Sequence, residues 1–591
     1  VAYGTMAKAE RARRHAGAAA ALEERGDETL EARAGHWGAA AELTREVGHV
    51  DGVPDDAVER AVATLEQSAQ QAERTEHHRR SQASFDRALS LLPATGEPHQ
   101  RWRLLLGRAR ARAEQRSLDG ARQDATAVRE EAGAAGDART ETWALTVIGD
   151  VQQKAGDYAA SSATLHDAVG RWRSLGDPGG TAEALRISGM TDLFQSAYDE
   201  AEAEIGEARA LYESLEDRRG QAWALQNLAW ISFMRGDPVL ADERVDASAE
   251  LFAEIGDWGG LSWALGLQGW VRFNQGRLDE ARALTERIQP EAEDSGNRWA
   301  FAMGEVLLAQ VALWQGRGEE AIERGRDAHA VFSEIADRWG QGQGLLPVAR
   351  ALAARGRRDE AVDVINRAAE FLVPATRNAE WIRVFQATVF SALGEGRESI
   401  SALEALDFPP KGELISDERR NALAIARLQC GRPAEALPDV EAQVAAARSP
   451  GALTAAAAIL TLVLAAVGRP DDALEAADQV LETGGTYLDR LSAKIGQGFA
   501  LGQLGRTEDA IATFDDAIAT VDETDARLDQ GLARLARAHT LFAAGHAAAG
   551  AALADARSRL GSLGVAAPGW ETAYALAATG GEVTAGAAVS S

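Results

Sequence analysis

One cysteine, four lysines and fifteen prolines are spread over 591 residues. The lone Cys430 excludes an intramolecular disulfide framework and a cysteine-built metal cluster, and it fits a reducing cytoplasm. Lysine occurs only at Lys8, Lys154, Lys411 and Lys494, so nearly all positive charge is arginine, and the formal net charge is −28. That balance argues against a nucleic-acid surface, because phosphate binding needs a concentrated positive field. The basic stretch "EHHRRSQASFDR" is local and reads as a solvated helix face, with His77 and His78 at the surface. Aromatics reach only 6%, and sparse proline beside abundant alanine favours helices over sheets. Long apolar runs are lacking too: "LTAAAAILTLVLAAV" (453–467) falls short of a membrane span and reads as a buried helix. The opening "VAYGTMAKAERARRH" has no apolar core of the kind a secretory signal needs.

Catalytic motifs are equally scarce. There is no G-x4-G-K-[S/T] phosphate loop, no H-E-x-x-H, no C-x-x-C and no G-x-S-x-G. The nearest glycine cluster, "GQGQG" (340–344), reads as a turn between repeated helices rather than a loop after a strand. Adjacent His77 and His78 point to different helix faces, and a metal site needs convergent ligands. Paired acids such as Asp471–Asp472 and Asp515–Asp516 fall in helix-start or exposed positions of an acidic chain. No catalytic, cofactor or metal residue is assigned, and the chain is expected not to be an enzyme.

What the sequence has instead is a period. A turn glycine with alanine five residues on occurs in "GDPVLAD" at Gly236, "GRLDEAR" at Gly276, "GRGEEAI" at Gly316 and "GRRDEAV" at Gly356. "GDYAASS" at Gly156 opens the same way, Ser196 ("SAYDEAE") fills the gap, and Arg116 ("RSLDGAR") extends the series upstream. Gly396 follows one period later without its alanine, and steps of 35, 37, 37 and 40 residues lead to Gly431, Gly468, Gly505 and Gly545. A second marker alternates with the first: "AGDART", "LGDPGG", "LEDRRG", "IGDWGG", "DSGNRW" and "IADRWG". Each period therefore holds two helices between two turns. Glycine accepts the left-handed conformation that ends a helix, and the aspartate or asparagine after it caps the next one. A chain this long exceeds a single compact core and suits a repeat array.

Within the period, residues i, i+4, i+7 and i+11 share a helix face. Trp223, Asn227, Trp230 and Met234 form one stripe, roughly opposite Leu225, Leu228 and Ser232. Neighbouring repeats place Met190 and Phe194 on the same stripe, then Trp263, Leu267, Trp270 and Asn274, then Met303, Leu307, Gln310 and Trp314. Trp143, Asp150 and Lys154 on one side, and Arg350 on the other, give the apolar floor polar edges. The rings either pack between repeats or line a surface that binds; exposed aromatic and Met-rich grooves take in amphipathic helices or peptides.

"LQNLAWISFMRGD", with Leu225, Leu228 and Ala229 at first-helix core positions, resembles the tetratricopeptide (TPR) repeat, in a forty-residue variant with Ser232 at the tyrosine position. The resemblance covers about residues 100 to 560. It implies an all-α fold, a right-handed α-solenoid of TPR-like helical hairpins, with the tryptophan stripe lining a concave groove. The opening residues Val1, Ala2, Tyr3, Arg11, Ala12, His15, Ala20, Leu22 and Glu23, followed by His36 and Ala40 in "EARAGHWGAAAEL", resemble the junction that leads into the repeats of bacterial STAND-class signalling ATPases. By that resemblance residues 1–26 leave an upstream winged-helix and ATPase region, and 27–100 lead into the repeats. The arrays then run over 101–405 and 406–575, divided at "LDFPPKGEL", with a flexible tail at 576–591. The function implied is a cytoplasmic, non-catalytic interaction or sensor scaffold that regulates attached ATPase, cyclase or DNA-binding domains. Its partner is expected to be a protein, a peptide or an intramolecular domain in the groove, with a small-molecule effector sensor or a stand-alone adaptor as alternatives. The groove residues are Met190, Phe194, Trp223, Asn227, Trp230, Trp263, Trp270, Asn274, Gln310 and Trp314. No cofactor, nucleic acid or membrane is expected.

Overall fold

The computed structural model describes residues 6–23, 25, 29–92, 97–371, 378–404, 406 and 414–581. Val1, Ala2 and Tyr3 of the expected junction, most of "LDFPPKGEL" and the chain beyond 581 lie outside the described residues. Among the described residues there are 29 helices and no strand. Over residues 8–214 and 318–562 each helix packs on the next, and alternate helices such as Pro98–Glu114 with Ala138–Lys154 and Pro450–Ala466 with Tyr487–Gln503 also pack on each other. This is the contact pattern of an α-solenoid, in which each hairpin buries its faces on its neighbours.

The markers do what their chemistry dictates. The alanines five residues past the turn, Ala121, Ala201, Ala241, Ala281, Ala321 and Ala361, are all fully buried. A side chain this small lets the two helices of a hairpin approach closely. Ser161 holds that position after Gly156, equally buried, and donates to the Gly149 carbonyl at 2.9 Å. One register differs from the sequence reading: the left-handed turn residue is Gly394 (φ 81°), not Gly396, and the buried Ser399 lies five residues on. At Arg116 and Ser196 the turn stays left-handed without glycine (φ 61° and 60°), a conformation that costs an L-residue about 1 kcal/mol.

The second marker is a matched lock. Asp177, Asp217, Asp257 and Asp337 each accept a hydrogen bond from the backbone N–H of the glycine three residues on. Those glycines, Gly180, Gly220, Gly260 and Gly340, lie against the rings of Trp172, Tyr212, Phe252 and Phe332, each eight residues upstream. A Cβ on Gly260 would sit 2.2 Å from the Phe252 ring, so no side chain fits there. Where the sequence has Thr140 instead of glycine, the residue eight upstream is Ala132 rather than an aromatic. "GQGQG" belongs to this arrangement: it lies inside the helix Arg338–Ala354, not in a turn, and Gly340 and Gly344 admit Phe332 and the His329 backbone.

Contacts divide the chain into two compact units. The first comprises residues 1–228, 247–264 and 290–298, and the second 229–246, 265–289 and 299–591. In both, a turn inside a hairpin lies against a turn between hairpins from far along the chain. In the first unit Gly259 admits the Glu76 side chain, and Gly296 lies beside Arg79. In the second unit Gly276 meets Gly451, Gly356 meets Leu563, and the N–H of Gly569 donates to the Gly394 carbonyl at 3.0 Å. The helix Pro568–Thr579, which includes the first residues of the expected tail, sends the Trp570 indole N–H to the Ala392 carbonyl at 3.0 Å.

Asp525 makes the tightest of these junctions. Its carboxylate accepts from the N–H groups of Gly318 (2.7 Å) and Glu319 (2.8 Å), 207 and 206 residues away, and pairs with Arg355 at 2.6 Å. The helix Gly318–Glu334 has no side-chain cap of its own, so Asp525 caps it from a distance. Asp525→Ala is expected to lower the stability of the second unit by about 2 kcal/mol, because it strands two N–H groups and leaves the half-buried Arg355 paired with Glu319 at 3.0 Å but without Asp525. Denaturant melts check the loss, and amide exchange at Gly318 and Glu319 should speed up with it.

Candidate functional site

Several first helices of the repeats are largely buried but keep solvent-touching positions along one stripe. On Pro98–Glu114 the solvent-touching positions include Arg103, Gly107, Arg110 and Glu114, and on Ala138–Lys154 they include Trp143, Asp150 and Lys154. On Pro178–Phe194 they include Glu183, Met190 and Phe194, and on Arg338–Ala354 they include Gln343, Arg350 and Ala354. These positions repeat in register with Trp230 and Trp270, but of the stripe read from the sequence Asn227, Leu267, Met303, Leu307 and Gln310 are buried.

In the second unit the stripe carries Trp230, Trp270 and Trp314 on successive first helices, all half-buried. Trp230 packs edge-on to Phe233 at 5.9 Å, and Trp270 to Phe273 at 6.1 Å. Trp270 also rests against the cluster of Ala302, Met303 and Val306 on the next first helix. Each ring therefore has a packed side and an open side. The Arg350 guanidinium lies over Trp314 at 4.4 Å and pairs with Glu418 at 3.5 Å. Asn274 is half-buried, whereas Gln310 is buried beneath the stripe.

In the first unit Trp223 and Trp263 are half-buried and Asn227 is buried. Trp223 meets the buried Phe252 at 5.2 Å, as Trp143 meets Trp172 at 6.1 Å. These rings at the helix starts therefore pack on the second helix of their own hairpin. Met190 is half-buried, and Phe194, 37% exposed, stacks on Tyr158 at 5.5 Å.

The charged part of the stripe is more organised than its sequence suggested. Arg103 pairs with Glu66 and Arg110 with Glu73, both at 3.1 Å, and Arg110 also lies over Trp143 at 5.9 Å. Lys154 joins Asp150 at 2.5 Å to Glu114 at 3.2 Å. Burial works against the Lys154 charge, but Asp150 and Glu114 more than offset it, so its pKa is raised. Glu183 takes Arg186 at 3.0 Å and the Tyr212 hydroxyl at 2.9 Å. Burial alone would raise Glu183, yet Arg186 prevails and holds the carboxyl at about 2. Positions 110 and 150 share their register with Met190 and Trp230, so the signal was present. Part of its pairing was hidden because Arg103–Glu66, Arg110–Glu73, Lys154–Glu114 and Glu183–Tyr212 join different helices.

Two further features escaped the sequence. His78 is buried rather than at the surface, with Nε2 2.9 Å from Glu76. In the second unit the Tyr487 hydroxyl donates to Asp529 at 2.9 Å. Burial pushes Asp529 up to about 7, only partly opposed by that bond. Among the described residues no three acidic, histidine or cysteine side chains converge as metal ligands, and no helix is long and apolar enough to cross a membrane.

No family model matches the chain, and neither does any curated protein. Among solved structures it is similar to a Rap protein complexed with Competence and Sporulation Factor, at 12% identity over 66% of this chain and 100% of that one, with a TM-score of 0.44. It is also similar to the apo form of the quorum sensor NprR from B. thuringiensis (12% identity, 57% of this chain and 98% of that one, TM-score 0.37). The APC/C hetero-tetramer Cut9–Hcn1 matches at 13% identity over 78% of this chain and 94% of that one, with a TM-score of 0.29. The fold of this chain is all-α, an array of packed helical hairpins. None of the three similarities bears on what it binds.

Proposed function

We propose that this chain is an interaction and sensor scaffold whose first-helix stripe takes a protein or peptide partner. The observation that carries the reading is the run of Trp230, Trp270 and Trp314, half-buried rings near the C-terminal ends of successive first helices. Rigid rings held from one side present apolar contact at little conformational cost. Arg350, stacked on Trp314 and paired with Glu418, ends the run with a polar group that orients what lies on it. Through the resemblance of its first fifty residues, the chain regulates an attached signalling ATPase with cyclase or DNA-binding output. A partner that prefers one arrangement of the array shifts the attached domains in proportion to that preference.

Panning a random peptide library against the protein tests the stripe. Enriched peptides are expected to bind the Trp230→Ala, Trp270→Ala double variant at least about tenfold more weakly, with the helical circular dichroism spectrum unchanged. Equal binding by the double variant would remove the stripe from the mechanism.

A further inference from the structure

Every large hydrophobic side chain exposed among the described residues lies within three residues of an inter-helix turn. They are Val47, Leu175, Phe194, Leu215, Val239, Ile255, Trp258, Leu504 and Phe542. Scattered single exposures are ordinary on a soluble protein, but confinement to the turn edges is not. The turn edges are also where each unit joins distant parts of itself, in several places by a turn within a hairpin against a turn between hairpins. Gly276 with Gly451, Gly316 with Thr524, and Gly356 with Leu563 are three such junctions in the second unit, and Glu76 with Gly259 is one in the first.

Turns without such a neighbour among the described residues include Gly156 in the first unit and two edges that carry large exposed side chains. Between hairpins, a Cβ on Gly136 or Gly176 would meet nothing within 4 Å, and Leu175 and Leu215 there are 42% and 43% exposed. Within hairpins, Gly505 and Gly545 are equally open, and Leu504 and Phe542 beside them are 40% and 63% exposed. The two helices that start at this second edge, Thr507–Asp522 and Ala549–Ser562, have no side-chain cap, as Gly318–Glu334 has none of its own before Asp525 reaches it. The exposed Glu216, next to Leu215, offers a carboxylate of the same kind.

We infer that the edge at Leu504–Gly505 and Phe542–Gly545 of one copy docks on the edge at Gly136, Leu175–Gly176 and Leu215–Glu216 of a second copy. The contact continues between molecules the turn-on-turn junction already used within each unit. It is heterologous: the two surfaces differ, so association runs head to tail and closes only if the rotation between copies allows a ring.

Sedimentation velocity at rising concentration tests this with the full chain. The wild type is expected to exceed its monomer mass of 62.7 kDa. Leu504→Asp with Phe542→Asp, and separately Leu175→Asp with Leu215→Asp, are each expected to return it to monomer. All four side chains are exposed, and unchanged circular dichroism confirms folding. The deciding sample is a mixture of the two variants: each keeps one sound edge, so they are expected to form a one-to-one dimer that neither forms alone. A monomeric wild type, oligomers that survive either pair of substitutions, or a mixture that stays monomeric would each overturn the inference.

Discussion

Replacing Asp529 by asparagine is expected to stabilise the second unit by up to about 4 kcal/mol at pH 8, and by only about 1.5 kcal/mol at pH 5. The sign follows from where the proton sits. In the unfolded chain the carboxyl ionises near its ordinary value of 3.8, whereas the folded protein holds it protonated until about 7. Between those values the folded state binds more protons, so stability falls as pH rises, and the fall ends once Asp529 ionises in both states. Asparagine cannot ionise, and its carbonyl still accepts the bond from Tyr487. Melts of the wild type and variant across pH should therefore diverge between pH 4 and 7 and run parallel above. Parallel curves throughout, or a less stable variant at pH 8, would show that burial of this carboxylate is not the dominant cost.

Gly260→Ala is expected to reverse its sign with its background. In the wild type the new methyl group meets the Phe252 ring at 2.2 Å. The ring is fully buried and has no free space to move into, so a loss of about 2–3 kcal/mol follows. In a Phe252→Ala background the obstruction is gone, and alanine becomes the better helix residue by about 0.5–1 kcal/mol. The single Phe252→Ala change is itself expected to lose about 3–5 kcal/mol, since it removes a whole buried ring. A cycle of four proteins melted in denaturant measures the coupling. Additive effects would mean that the backbone shifts enough to accept the methyl group, and that the glycine is not required by the ring.

The fold was legible because its rules are local and repeated. Turn glycines, capping aspartates and the alanine five residues past each turn recur in sequence, and each acts within one hairpin. The aromatic lock was half visible: the glycine of "IGDWGG" stood out, but Phe252 eight residues earlier belongs to the preceding helix and gives no motif of its own. The stripe was legible as a face, and the structure places Trp230, Trp270 and Trp314 on it with open sides. What could not be read were bonds between distant segments. Arg110 with Glu73, and Asp525 with Gly318, obey no spacing that a sequence displays, since their distance along the chain is set by how the array turns. His78 misled for the same reason, because local charge suggests a wet helix face and only its neighbours show that it is covered.

The ring-and-glycine lock also bears on how such an array can change by recombination. Each matched pair spans a repeat boundary, so the ring is encoded near the end of one unit and the glycine at the start of the next. A crossover that breaks a unit between Phe252 and Gly260 and rejoins it to the stretch holding Thr140 would set a phenylalanine against a side chain that needs Ala132. Units delimited at the turn within the hairpin carry both halves of the lock together. Duplications and deletions in this gene should therefore have survived mainly where their ends fall near Gly236, Gly276 and Gly316, rather than at the aspartate turns that look like the natural seams.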